Sequence, residues 1–375
     1  WIGDNMAYTD IDDPSTNFKA EPFPGDSVGA DFTLGGNGVM KPDIVWTKPR
    51  ISTNTYGVGI HALFDSSRPP DTDANRGYVG VKPNDQDFTV PEVGFDLTAF
   101  ITNGFSVGNN QHGTVCNGEV AGGGSTYGCW AWKAGGASFT SFNESGNNPG
   151  GRYQANTDAY CSIVDYTGTG AAGTIAHGLG VVPEMIAVKN LTDDDTDWAI
   201  QFGLALGNTN ALNFNDTSAY TGSNGAGFWN DTSATTSVFT VGSRAETNVD
   251  AKKYIAYLWA SKQGYCKIGK YEGNGNANGT FIYTGFRPAM IIMKSADSTS
   301  SWDLVDDERI GHNVDNNPFS INANTVEGTT DIVDILSNGF KLRIASDPNV
   351  AETYVYAAWA KHPFVTSGGT PVTAR

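Results

Sequence analysis

No run in this chain approaches the ~20 consecutive apolar residues that a membrane-spanning helix needs, so none is expected. Positive charge is scarce. Twenty-three Lys and Arg stand against 40 Asp and Glu, leaving a formal net charge of −17. A surface this acidic repels phosphates, which argues against nucleic acid as a partner. Four cysteines and five histidines form no Cys-x-x-Cys pair and no cluster with metal-ligand spacing. Gly-x-Ser-x-Gly, P-loop and His-Glu-x-x-His motifs are missing too, as is a Ser/His/Asp order. The reading is therefore not an enzyme: no catalytic, cofactor-binding or metal-binding residue is assigned, and the binding residues are unknown.

What the chain does have is glycine, 46 of 375 residues, and an aromatic content of 11%. Gly and Pro together stay below the roughly 25–30% that marks disorder, and the aromatics are ample for packed cores. The length exceeds what one hydrophobic core usually organises, so two or three domains are expected. The opening Trp1-Ile2-Gly3-Asp4 is neither an initiator nor a signal peptide. The chain is read as a fragment, a processed product or a sequence without its true start.

One pattern occurs three times. Pro42–Lys48, Pro183–Lys189 and Pro288–Lys294 each run Pro, a short apolar stretch, then Lys six positions on. Asn103-Gly104-Phe105, Ser237-Val238-Phe239 and Asn338-Gly339-Phe340 follow, and each copy closes with Tyr and Trp five apart: Tyr127 and Trp132, Tyr254 and Trp259, Tyr354 and Trp359. An Asn precedes each closing Tyr (Asn117, Asn248, Asn349). Three blocks in one order, three times, indicate an internal triplication.

Each Pro-led run suits a strand that begins on Pro, where no ladder donor is needed. The closing runs are apolar on both alternating faces, so they belong inside a sheet, and Asn-Gly before Phe is a strong hairpin signal. The fold class is all-β: three tandem β-sandwich domains, jelly-roll or lectin-like, set in a row. The expected boundaries are an N-terminal extension at 1–30, repeat one at 31–136, a Gly/Asn-rich linker at 137–158, repeat two at 159–262, repeat three at 263–366 and a tail at 367–375. Between repeats two and three the join at 261–264 is short, so those two should pack closely. Ile332 to Leu336 suggests one helical turn.

Several residues invite a functional reading beside a structural one. Cys161 and Cys266 each follow a Tyr and precede a strand-like run, so they read as matching packing sites rather than partners; Cys116 and Cys129 flank a Gly-rich loop, bonded or not. His61, His112, His177, His312 and His362 have no recurring companions and read as surface or turn residues. The acidic loops Asp193–Asp197 and Asp306–Glu308 offer oxygen ligands for a structural calcium ion, but without EF-hand or nonapeptide spacing they read as solvated loops. Asp65-x-x-Arg68 and Asp306-x-x-Arg309 read as a repeated structural ion pair. The closing tryptophans read as core, with a carbohydrate platform as the alternative.

At these blocks the sequence resembles a family of repeated domains in virion proteins of marine bacteriophages. The resemblance rests on Lys41–Arg50, Phe64–Arg68, Gly104–Gly108 and Tyr127–Gly136 in copy one. It continues through Phe228–Thr232 and Val238–Ser243 in copy two, and Tyr283–Pro288 and Leu336–Arg343 in copy three. It spans about residues 36–364, and it marks Trp229 as a core residue. It implies a non-enzymatic structural protein on the virion surface, in the tail or adsorption apparatus, with no cofactor. The implied partners are other virion proteins and a host surface glycan or protein, without membrane insertion, in a homo-oligomer such as a trimer. Two alternatives stay open: a capsid decoration or filament subunit of purely architectural role, and a carbohydrate-active enzyme or lectin with accessory modules.

Overall fold

A computed structural model describes residues 9–25, 28–51, 60–68, 81–83, 85–86, 97–108, 125–220, 225–309, 313 and 317–372. The chain is all-β. Unit one comprises β1 (Phe18–Gly25), β2 (Ala30–Thr33), β3 (Ile44–Pro49), β4 (Ala62–Asp65), β5 (Leu97–Ile101), β6 (Gly104–Val107) and β7 (Ser125–Trp132). A hairpin of β8 (Thr140–Phe142) and β9 (Gly150–Asn156) leads into unit two. That unit holds β10 (Cys161–Thr167), β11 (Gly173–Ala176), β12 (Met185–Asn190), β13 (Ala199–Gln201), β14 (Val238–Val241) and β15 (Lys253–Trp259). Unit three holds β16 (Cys266–Glu272), β17 (Phe281–Tyr283), β18 (Phe286–Ser295), β19 (Asp303–Asp306), β20 (Phe319–Ser320), β21 (Val333–Leu336), β22 (Gly339–Leu342) and β23 (Thr353–Pro363). Two four-residue helices, Gly203–Leu206 and Gly225–Phe228, lie in unit two. Among the described residues no helix is long and apolar enough to cross a membrane.

The same strand order recurs in each unit. The large sheets run β1-β7-β3-β4, β10-β15-β12-β13 and β16-β23-β18-β19, all antiparallel. Register repeats as well: Ile44 faces Trp132, Met185 faces Trp259 and Met290 faces Trp359. A smaller sheet, β2-β6-β5, β11-β14 or β17-β22-β21, belongs to each unit. Alternation sorts the side chains. On β3 and β7, Val45, Tyr127, Cys129 and Ala131 face the small sheet, while Ile44, Trp46, Trp130 and Trp132 face the other way. Each unit thus encloses a private core between its two sheets.

The opposite faces decide the architecture, and here the expectation of sandwiches in a row is corrected. The outward faces of the large sheets are as apolar as the inward ones, and they bury that area against one another, at about 25 cal/mol per Å². The three large sheets wall a single common core that draws on all three units. At its centre the closing tryptophans form a triangle, with ring centroids 6.0 Å (Trp132–Trp259), 5.3 Å (Trp132–Trp359) and 5.8 Å (Trp259–Trp359) apart. One layer away stand Trp130, Tyr257 and Ala357, again one residue per unit.

Three further expectations change. Residues 137–158 are not a linker: they contain the β8–β9 hairpin, which extends the second sheet by pairing β9 with β10. Its polar residues are bound, since Arg152 donates to Asp165 Oδ2 (2.7 Å) and to Ser67 O (2.6 Å), and Gln154 to Ser66 Oγ (2.8 Å). Within residues 1–30, Phe18–Gly25 is the first strand of unit one, aligned with Trp132 through Phe18. Pro22 and Pro24 obscured it in the sequence, and they are tolerated because β1 is an edge strand. Ile332–Leu336 holds a strand, Val333–Leu336, and not a helical turn: Val333 and Ile335 point into the core of unit three while Asp334 alternates outward. The Asn-Gly hairpins formed as expected, β5 to β6 through Asn103 (φ 61°) and β21 to β22.

Candidate functional site

The polar residues that the sequence singles out gather where the units meet. Immediately before β4, β13 and β19 stand His61, Trp198 and Trp302, one per unit. Each donates to a main-chain carbonyl of a neighbouring unit: Trp198 Nε1 to Lys82 O (2.9 Å), Trp302 Nε1 to Asn213 O (2.7 Å) and His61 Nε2 to Ser320 O (3.1 Å). The acceptors match too. Each follows the residue that pairs with the fourth strand of its unit, Val81 with Leu63, Leu212 with Ile200 and Phe319 with Leu304. The bonds run two to one, three to two and one to three, a closed cycle.

His61 replaces an indole in this cycle. Trp46 Nε1 donates to His61 Nδ1 (3.0 Å), so that nitrogen is the acceptor and the proton is assigned to Nε2. Burial, together with the nearby charges of Lys48 and Arg309, holds its pKa well below the ordinary value. The surface-or-turn reading of His61 is thereby corrected, and so is that of His177, which is buried, accepts from Leu179 N at Nδ1 and contacts Thr235 O through Nε2. His362 is half-exposed. His112 and His312 lie outside the described residues.

The repeated Asp-x-x-Arg forms the expected ion pair and adds a second role. Asp65 Oδ1 accepts from the amides of Ser67 and Arg68, and Oδ2 takes Arg68 Nε (2.8 Å) and the hydroxyl of Tyr257 from unit two (2.7 Å). Burial alone would raise the Asp65 carboxyl; Arg68 and the hydrogen-bond donors bring it below its ordinary value. Asp306 repeats this with Arg309 Nε (2.6 Å) and with Trp130 Nε1 from unit one (2.9 Å). Unit two has Phe202 at the matching position, inside the common core. Tyr257→Phe is expected to lower stability by about 1.5 kcal/mol, the usual net value of a hydrogen bond to a charged group. Urea unfolding measures it, and an unchanged midpoint would discount the bond.

The three lysines of the Pro-led strands are buried. Burial brings Lys48 down to about 7 and Lys294 to about 8. Lys189 Nζ donates to Thr196 O (2.5 Å) and to Gln86 O, and Lys294 Nζ donates to Ser295 O (2.8 Å). Lys189 and Lys294 thereby fasten the loop between the third and fourth strands of their units. Asn248 and Asn349 clamp loops likewise, Asn248 through Thr169 N and Gly242 O, Asn349 through Asn274 N and Ile344 O. Asn117 lies outside the described residues.

In the acidic loops Asp193 pairs with Lys252 (2.6 Å) and Asp306 is held as above, while Asp194 and Asp195 are exposed. Among the described residues no three His, Cys, Asp or Glu side chains gather as a metal site. Trp229 is core, its Nε1 bonded to Asn210 O (3.0 Å). Cys161 and Cys266 sit opposite Trp259 and Trp359, the matched packing sites expected, and Cys129 is likewise buried with a free thiol. Cys116 lies outside the described residues. Burial pushes all three thiols up. In a Cys116→Ser chain, a maleimide should leave Cys129, Cys161 and Cys266 unlabelled until unfolding, since thiolate is the reactive form; labelling under native conditions would contradict their burial.

Strand polarity sorts the connections into two ends. At the Trp-triangle end lie the passages between units, where Thr9 donates to Gln263 O (3.0 Å) and Ser367 N to Asp12 Oδ1 (2.6 Å). The described strands direct to the other end, in every unit, the first-to-second and third-to-fourth connections and the one entering the closing strand β7, β15 or β23. Sequence reasoning did not find the His61, Trp198 and Trp302 cycle, because its members differ in type. Their common signal is only an aromatic ring just before the fourth strand. No curated protein and no solved structure matches the chain. Residues 13–363 match one family model across all three units, and the chain belongs to that family, described as Domain of unknown function (DUF7483).

Proposed function

We propose that the chain is a non-enzymatic structural protein of a bacteriophage particle, displayed on its surface and binding a host surface or neighbouring subunits through loops. The observation that carries this reading is the division of the molecule into two ends. One end gathers the passages between units, as an attachment end would. The other presents three loop connections from each unit, on a scaffold whose polar residues are spent in holding the units together. Loops on a rigid β-scaffold are the usual place for recognition, and three similar faces side by side favour multivalent contact. The resemblance to virion proteins of marine phages supplies the particle.

Cryo-electron microscopy of purified particles tests the proposal. Density for a three-sided β-body on the tail or adsorption apparatus, loop end outward, is expected. Particles lacking the chain would overturn the virion reading. Loop ends buried against other subunits would replace host binding with a purely architectural role.

A further inference from the structure

Unit three carries an open cleft that units one and two keep shut. Lys19, Ser162 and Lys267 hold one register position, each following the residue that faces a closing tryptophan. Lys19 Nζ donates to Leu34 O (3.1 Å), and Ser162 Oγ donates to His177 O (2.6 Å). Each bond latches the large sheet to the turn that follows the first strand of the small sheet. The matching turn residue in unit three is Thr284, because Phe32, Ile175 and Ile282 pair with Phe105, Phe239 and Phe340 in turn. Lys267 makes no such bond and is exposed. A groove of about 350 Å³ opens there, lined by Gln263, Lys267, Tyr283, Thr284, Phe364 and Val365.

The rings beside it are also peculiar to this unit. Tyr283 is 60% exposed and Phe281 44%. They share the solvent face of β17, where unit one has Asp31 and Thr33 and unit two has Thr174 and Ala176. Gly339, opposite Tyr283, admits the close approach of β17, since a Cβ there would come within 2.0 Å of Ile282 O and 3.2 Å of Phe281 Cε2. Lys341 stands opposite Phe281. At Gly285 the backbone is left-handed (φ 84°), a conformation suited to glycine that leaves the groove mouth without a side chain.

We propose that this cleft is a binding subsite for an acidic saccharide, a pyranose carrying a carboxylate. The Tyr283 ring offers an apolar face to the sugar C–H groups, and the Gln263 amide offers donors and an acceptor to its hydroxyls. The Lys267 ammonium, set on a chain of net charge −17, selects an anion. The subsite lies on the flank of unit three near the Trp-triangle end and is independent of the loop end invoked above.

The test is calorimetric titration of the full chain with trigalacturonate, with maltotriose as the neutral probe and a hexaglutamate peptide as the non-saccharide anion. A dissociation constant on the order of 1 mM is expected for so shallow a site. Tyr283→Thr, which installs the residue of unit one, should weaken binding about tenfold, a loss of about 1.4 kcal/mol. Lys267→Ser, the residue of unit two, should abolish the preference over maltotriose. Thr33→Tyr in unit one, where the cleft is latched, should add no binding. Absence of saturable trigalacturonate binding, or unchanged binding in Tyr283→Thr, overturns the subsite; equal binding of hexaglutamate overturns the saccharide. None of these results bears on particle location, so the two proposals fail separately.

Discussion

His61→Phe is expected to lower folding stability by about 3 kcal/mol at pH 7.5, because it strands two buried groups at once. Trp46 Nε1 loses its acceptor and Ser320 O loses its donor. The position matters beyond this count. Units one and two, and units two and three, are joined by the chain, whereas units three and one meet without a covalent join. The cycle closes across that seam through the histidine and not through an indole. Around it stand Trp46 and Lys48 from β3, with Phe319, Ser320 O and Arg309 from unit three. A protonated His61 would offer Nδ1–H to an indole N–H and add a third cation.

Acid should therefore weaken the seam. Unfolded, His61 titrates near its ordinary 6.5; folded, it stays neutral far lower. In the interval the unfolded state binds more protons, so stability rises with pH. The contribution is complete above pH 6.5 and falls by about 1.4 kcal/mol for each pH unit below it, until the folded pKa is reached. Asp303 and Asp307, raised by burial to about 8 and about 6, act in the opposite sense, since the folded state there holds the extra protons. The difference in slope between the parent and His61→Phe isolates the histidine. Denaturant unfolding from pH 4.5 to 7.5 reads it, and parallel slopes would dismiss the mechanism.

Trp359→Ala should cost about 4 kcal/mol, within the usual range for a buried Trp truncated to Ala. It removes one vertex of the triangle, leaving Trp132, Trp259 and Phe18 facing a cavity. Because the common core draws on all three units, the parent should melt in one calorimetric transition, and the variant should also melt in one, at lower temperature. Independent sandwiches would behave otherwise: two or three transitions, with only that of unit three displaced. That outcome would sink the shared core.

Much of each unit was legible in the sequence. The Pro-led and closing runs read as strands, because short apolar, β-branched stretches bounded by turn residues suit a sheet interior. Asn-Gly before Phe placed two hairpins, and Asp-x-x-Arg placed two ion pairs, all of them interactions between near neighbours. β1 and the β8–β9 hairpin escaped notice for a local reason as well. Prolines and glutamate mask the first, an edge strand that tolerates them, and glycine and asparagine mask the second.

What the sequence by itself determined is the unit: its all-β class, its Pro-led and closing strands and the two apolar faces of the closing strands. Alternation states which face is apolar and is silent on what covers it. Only the tertiary structure decided that the second face of each large sheet packs on the other two, placing three distant tryptophans within about 6 Å of one another. The same packing gave His61, Trp198 and Trp302 one role, and it left the cleft of unit three unlatched, because a contact across sheets depends on reach and direction that no spacing along the chain records.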